Sequence, residues 1–297
     1  MSKSERNTAL RAAFLGLAVA AILASPTRST QGAESIPDFS GIWSHPYLTG
    51  FEPPASGPGP VKNKSRRPDG VGNFQQLVGD YTNPILKPEA AEIVRQHGEL
   101  SLSGVGYQTP SNQCWPGGVP YVFWDFLVQL FQTPDHITMV YRHGNEVRHV
   151  RMNASHTAKV TPSSYGDSVG HYEGATLVID TVGIKKGPFA MLDMYGTPYT
   201  EKLHVVERYS LVDYDAAKDA MERNAKENSY AGQGWNFDPD YRGKVLQLHF
   251  TVEDEGVFTT PWTSTITYRP AIYPWTELIC AENQREFYNN RDSLIPT

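Results

Sequence analysis

Cysteine is scarce in this chain. Its 297 residues hold two, Cys114 and Cys280, and neither sits in a CxxC pair, so the paired-thiol patterns of redox and zinc motifs are missing. Long apolar runs are as scarce. The one example, "AAFLGLAVAAILA", stands near the N-terminus and falls short of the ~20 residues that a helical span needs. No long basic tract is present, and the formal net charge is −6 at pH 7. These absences argue against nucleic acid as a partner, against tight binding to anionic membranes and against a membrane span in the mature chain.

Lys3, Arg6 and Arg11 precede the apolar run, and small residues ending in "STQGA" follow it. That order predicts a signal peptide over residues 1–33, cleaved at Ala33 or alternatively at Ala24, and hence a periplasmic or secreted protein. Its loss removes four positive charges (Lys3, Arg6, Arg11, Arg28) and one negative (Glu5) from a chain at −6, leaving −9. In an oxidising compartment, an even cysteine count favours one disulfide, Cys114–Cys280. The loop so closed, roughly 165 residues long, would be worth several kcal/mol on the chain-entropy account.

Residues 34–110 read as an irregular arm rich in Pro and Gly, with a first strand in "PDFSGIWSH". "KPEAAEIVRQHGEL" predicts a helix that starts at Pro88 and ends near Gly98. Residues 111–297 form the β domain. "FLVQLFQ", "ITMVYR", "EVRHVRMN", "ATLVIDTVGI", "LHVVERYSLV", "VLQLHFTVED" and "TSTITYRP" are alternating runs bounded by turn residues, the signature of strands. Their order predicts an up-and-down antiparallel barrel, lipocalin-like in its Gly-x-Trp first strand, with a β-sandwich as the alternative. A short helical insertion is expected within residues 215–240.

Several stretches carry candidate chemistry. In "EVRHVRMN", Val147, His149 and Arg151 share one face, and Glu146, Arg148, Val150 and Met152 share the other. Which face points inward is open, and Arg151 is the residue taken to meet a ligand. In "LHVVERYSLV", Glu207 shares a face with Leu203, Val205, Tyr209 and Leu211. If that face is buried, the carboxyl needs a partner or a raised pKa, which makes it a candidate general acid or base. "GDSVGHYEGATLVIDT" reads as a glycine-punctuated turn that presents His171 and Glu173 at a barrel mouth. Ser168 lies in "DSVG", which reads as lacking the G-x-S-x-G elbow of a serine hydrolase. His149 and His156 lack metal-site spacing, so no metal is expected. The loop "GPFAMLDMYGTPYT" supplies Met191 and Tyr199 as candidate pocket walls.

Taken together, "PDFSGIW", "CWPGGVP", "GDSVGHYEGATLVIDT", "HVVERY", "EDEGVFTTPWT" and "CAEN" resemble the segments of a large group of uncharacterised secreted bacterial proteins. The resemblance covers most of residues 37–283. It implies secretion and a single β-rich domain, fits a structural disulfide between Cys114 and Cys280, and implies no particular reaction.

The residues point to a secreted, cofactor-independent acid/base enzyme (lyase, isomerase or hydrolase) acting on a small apolar or aromatic molecule in a barrel cavity. Glu207 would be the acid or base, with His156, His171 and His204 as proton relays. Arg151, Arg208, Glu173, Tyr199 and Met191 would hold the substrate. A periplasmic carrier of a hydrophobic small molecule is the alternative. One outcome is checkable without any substrate. The intact mass of the secreted protein should fall short of its sequence mass by the two thiol hydrogens, and a non-reduced digest should yield a linked Cys114–Cys280 peptide pair.

Overall fold

The computed structural model describes residues 36–104, 106–228, 236–276 and 278. The expected signal peptide, Cys280 and residues 229–235 of the expected insertion lie outside the described residues. Among the described residues, nine strands close a single barrel in chain order. They are β1 (Gly41–Ser44), β2 (Leu127–Gln132), β3 (His136–Tyr141), β4 (Glu146–Met152), β5 (Asp167–Glu173), β6 (Thr176–Val182), β7 (His204–Asp213), β8 (Lys244–Glu253) and β9 (Trp262–Pro270). The chain is thus an all-β barrel, as its alternating runs imply.

Two features depart from the expected meander. β5 is a strand, not a turn. It pairs with β6 along its whole length, from Asp167↔Val182 to Glu173↔Thr176. Gly170 sits inside it because a Cβ there would meet Met152 Sδ at 2.8 Å and Val150 Cγ1 at 3.0 Å. The second departure is that β4 and β5 run parallel, with Val150 opposite Ser168. Topology requires such a pair. An odd ring of strands cannot alternate direction all the way round, so nine strands close only if one neighbouring pair runs the same way. The connection from Asn153 to Gly166 carries the chain back along the barrel to make that pair.

The arm wraps the barrel and contributes to its core. Phe39, Leu48, Phe51, Val61, Ile85 and Leu86 are buried. The Phe51 ring packs 5.1 Å from Phe250 and 6.1 Å from Trp262. Helix α1 spans Pro88–Leu102 and runs past Gly98, beyond its expected end. Gly98 is where Val78 crosses the helix, since a Cβ would meet Val78 Cγ1 at 3.0 Å. Helix α2 (Tyr214–Glu227) follows β7 directly and packs on β7, β8 and β9. Arm residues pin it: Arg223 pairs with Glu52 at 2.7 Å and Arg66 with Glu227 at 2.8 Å. No helix among the described residues is long and apolar enough to cross a membrane.

Alternation turns Arg148, Val150 and Met152 inward on β4, Val205, Glu207 and Tyr209 inward on β7, and Leu246, Leu248, Phe250 and Val252 inward on β8. Arg148 and Glu207 are fully buried. Arg148 Nη1 donates to Glu207 Oε2 at 2.8 Å and Nη2 to Oε1 at 2.6 Å. Tyr209 Oη donates to Oε2 at 2.9 Å, Thr181 Oγ1 accepts from Nη2 at 2.6 Å, and Ser168 Oγ accepts from both Nε and Nη2. Burial works against the guanidinium charge, but the adjoining Glu207 more than offsets it and holds the Arg148 pKa above its ordinary value. Glu207 thus has the partner that burial demands, and its neighbours fill the space around it. Removing one member of such a pair strands the other charge in the interior, at a cost of about 3–5 kcal/mol. Glu207→Gln should therefore lower the free energy of unfolding by that much, read in urea as a lower midpoint at unchanged m-value. Arg148→Met combined with Glu207→Leu should recover much of the loss.

Candidate functional site

The residues proposed from sequence fall into four separate places. Glu207 is inside the barrel, closed off from solvent. Arg151 is on the opposite face of β4 from Arg148 and does not meet Glu207. This decides the inward side of that strand, which alternation left open, and puts the residue taken to meet a ligand on the outer side. Two consecutive apolar inward positions, Val150 and Met152 with their neighbours, set the register that puts Arg151 outside. There its Nη2 donates to Asp167 Oδ1 at 2.6 Å.

His156 and His204 join Arg151 on the outer wall. His156 contacts Asp167 Oδ2 through Nδ1 at 3.1 Å and Asp180 Oδ1 through Nε2 at 2.9 Å. His204 Nε2 meets the same Asp180 oxygen at 3.1 Å, and its Nδ1 lies 3.5 Å from Glu253. The hydrogen bond to Asp180 raises the His204 pKa, and the bond from His204 lowers that of Asp180. Among the described residues, no group of three or more such side chains is arranged to hold a metal ion.

Glu173, Arg208 and His171 make a second outer cluster. Arg208 pairs with Glu173 at 2.6 Å and His171 lies 3.2 Å from it. They stand on strands, toward the end of the barrel away from the His143–Asn145 turn, rather than on a turn at its mouth. Tyr199 and Met191 are buried core residues, with Tyr199 Oη donating to the Lys185 carbonyl at 3.1 Å. Gly166 to Gly170 does carry the G-x-S-x-G spacing. Ser168 nevertheless lies within β5, with its hydroxyl engaged by Arg148 and by Thr181 at 3.0 Å, so it is no nucleophile elbow.

A different set of residues converges at the barrel end that carries the β3–β4 turn. The aromatic run Tyr121–Trp124 folds into one 3-10 turn, after which Asp125 turns extended and leads into β2. Asp125 is 2% exposed. Its Oδ2 accepts the His143 backbone N–H at 2.6 Å, while Oδ1 has no hydrogen-bond partner. Burial, and then the charge of nearby Glu146, lift its pKa to about 7 against the hydrogen bonds from His143 and Leu127 and the charge of Arg142. Glu146 opens β4 and accepts the Gly117 N–H at 3.2 Å. Burial raises its pKa, opposed by hydrogen bonds from Tyr165 and Gly117.

His45, beside the backbone of Phe123 and Asp125, is also buried, with Nε2 unpartnered and its pKa pushed down to about 4 by desolvation. Asp125, Glu146, His143, Ser111, Gly117, Tyr121, Val122 and Trp124 enclose a small inner pocket. Ser111, His143 and Glu146 also wall an outer cavity of about 360 Å³, whose further lining includes Cys114, Trp115 and Tyr165. Trp115 packs edge-on against Phe189, with ring centres 6.2 Å apart.

Sequence reasoning missed Asp125, His143 and Tyr165. The signal for Asp125 was present, because an acid inside "YVFWDF" is as anomalous as Glu207 inside its own apolar run. Nothing local marks His143 or Tyr165, which reach the site only through the hairpin turn and the β4–β5 connection. Fold and site together define a closed β-barrel with a buried ion pair inside it and an acidic, aromatic-walled cavity at its mouth. Comparison with family models, curated proteins and solved structures finds no match to this chain.

The Asp125 environment has a consequence for stability. Its folded pKa of about 7 lies above the ordinary 3.8, so the native state holds the proton over an interval in which the unfolded chain has lost it. Its contribution is complete at acid pH and fades as pH rises from about 4 to about 7. His45 acts oppositely, since its depressed value costs stability as pH falls below its ordinary 6.5. Comparison with a single variant isolates Asp125. Asp125→Asn should be more stable than the parent at pH 8, by about 4 kcal/mol at most for a shift from 3.8 to about 7, and should match it near pH 4. Thermal melts at both pH values provide the check.

Proposed function

We propose that this protein is a cofactor-independent acid/base catalyst of small molecules that carry an apolar or aromatic part, and that its chemistry takes place at the barrel mouth. The observation that carries this reading is the Asp125 carboxyl, buried with one oxygen unpartnered, beside Glu146 and behind an aromatic-walled cavity. Unpartnered buried carboxyls are costly and concentrate at functional sites. A group that titrates near neutrality both accepts and returns protons efficiently. Two neighbouring carboxyls in one low-dielectric pocket resist joint ionisation, so one is left as acid and the other as base.

In this reading Glu146, which lines the open cavity, exchanges the proton with the substrate. Asp125 holds the second proton, and the His143 backbone N–H keeps it in place. Trp115 and Tyr165 provide flat walls for an aromatic or apolar body. Elimination, isomerisation and hydrolysis all suit such a pair. Glu207 becomes a structural residue, because its lone pairs are taken up by Arg148 and Tyr209 and it is shut away from solvent. The carrier reading uses the same cavity without turnover.

The proposal extends to a secreted, disulfide-linked protein. The order of residues 1–33 supports secretion. Leu278 pairs with His143, whose Nε2 lies 3.1 Å from the Ser111 carbonyl, so the C-terminal described residues run beside the loop that carries Cys114.

A panel of chromogenic esters, lactones and β-elimination substrates tests the catalytic reading. Asp125→Asn and Glu146→Gln should each lower kcat by about 10²–10⁴-fold on any substrate turned over. Conservative change at the outer residues His171 and Arg208 should leave kcat within about twofold, the usual reach of a remote surface change. Turnover that survives both carboxyl variants would remove the dyad from the mechanism. Saturable binding without turnover across the panel would favour the carrier.

A further inference from the structure

We infer that the mouth cavity is a site for an organic cation, an ammonium group attached to an aromatic or apolar body, with the ammonium lodged at Glu146 and the body against Trp115 and Tyr165. This rests on the preceding assignment of the cavity as the functional site and adds to it the charge of what binds there.

Three observations carry the inference. First, both carboxyls lack a cationic side-chain partner. Among the described residues that line the inner pocket and the outer cavity, none is Lys or Arg. The contrast with the rest of the barrel is sharp: Glu207 is paired with Arg148, Asp167 with Arg151, Glu173 with Arg208 and Glu52 with Arg223. Arg142, whose charge reaches Asp125, is engaged elsewhere. Its guanidinium lies over the Phe126 ring at 5.4 Å, and Nε donates to the Thr276 carbonyl at 3.3 Å. Second, Asp125 Oδ1 is buried and unpartnered, so negative charge at the floor finds no protein donor on that side. An arriving cation would supply the missing countercharge. Third, the walls suit the same chemistry. Trp115 remains 37% exposed although it is a large aromatic, and Tyr165 lines the cavity beside Glu146. Aromatic faces attract ammonium groups most strongly when these are partly desolvated. The negative charge of the whole chain would steer a cation toward the mouth as well.

The test is a matched ligand series read by Trp fluorescence and calorimetry on the full protein at pH 8. 2-Phenylethylamine, 2-phenylethanol and 3-phenylpropionate share an aromatic body and differ in the charge of the head group. The amine should bind at least tenfold more tightly than the alcohol, and the acid more weakly than either. Glu146→Gln should abolish the preference while leaving alcohol affinity within about twofold. Trp115→Leu gives a second handle if the first variant folds poorly, and should weaken amine and alcohol alike. Equal affinity for amine and alcohol, or preference for the acid, overturns the inference. Because the readout is binding, the outcome is separable from that of the catalytic reading. Amine preference without turnover leaves a cation carrier. Turnover without amine preference leaves the catalyst and removes the cation.

Discussion

One buried ion pair organises the inside of this barrel. Arg148 starts on β4 and reaches hydroxyls on β5 and β6 before closing on Glu207 of β7. Four consecutive strands therefore share one polar contact in a space that lipocalin-like folds can leave for a ligand. Such a pair adds little net stability compared with an apolar core of the same volume, because removing two charges from water offsets most of their attraction. What it does supply is register. A one-residue slip of β4 would turn Arg148 out and Arg151 in, leaving Glu207 with no geometric match.

That register matters because it spans the one irregular junction in the sheet. The parallel β4–β5 pair is short, with three matched residues, whereas β7 and β8 pair along ten. Ser168 on the far side of the junction accepts two bonds from Arg148, so the polar contact crosses at the parallel pair, where the backbone ladder is short. The same junction frees the segment from Asn153 to Gly166, which delivers Tyr165 to the mouth beside Glu146. Closure of an odd ring and construction of the mouth cavity are thus one event in the chain's path.

Interior and mouth handle buried charge in opposite ways. Inside, the two partners are hydrogen-bonded to each other and to the neighbouring hydroxyls of Tyr209, Thr181 and Ser168. At the mouth, Asp125 is buried and Glu146 half-buried, with no Lys or Arg among the described residues that line the two pockets, and desolvation lifts both pKa values. The fold sustains that unfavourable arrangement through the backbone donors of His143 and Gly117. Buried polar groups left short of partners concentrate at functional sites, and the function proposed for the mouth rests on that.

The sequence by itself determined the β class, nearly every strand, both helices to within a few residues, and the anomaly of a carboxyl at Glu207. Period-two alternation and turn residues are local signals, and they survive without tertiary context. It did not determine that β5 is a strand, because Gly170 within it and Gly166 and Gly174 on either side are what a turn also needs. Only the tertiary structure showed that Gly170 is there to admit Met152 and Val150. Nor did it decide the inward face of β4, since Arg148 and Arg151 are both compatible with alternation until Glu207 is placed across the barrel. The mouth site was the least legible. Asp125, His143, Glu146 and Tyr165 come from a 3-10 turn, a hairpin, a strand start and a long connection. No spacing along the chain relates them, and only closure of the barrel brings them to one end.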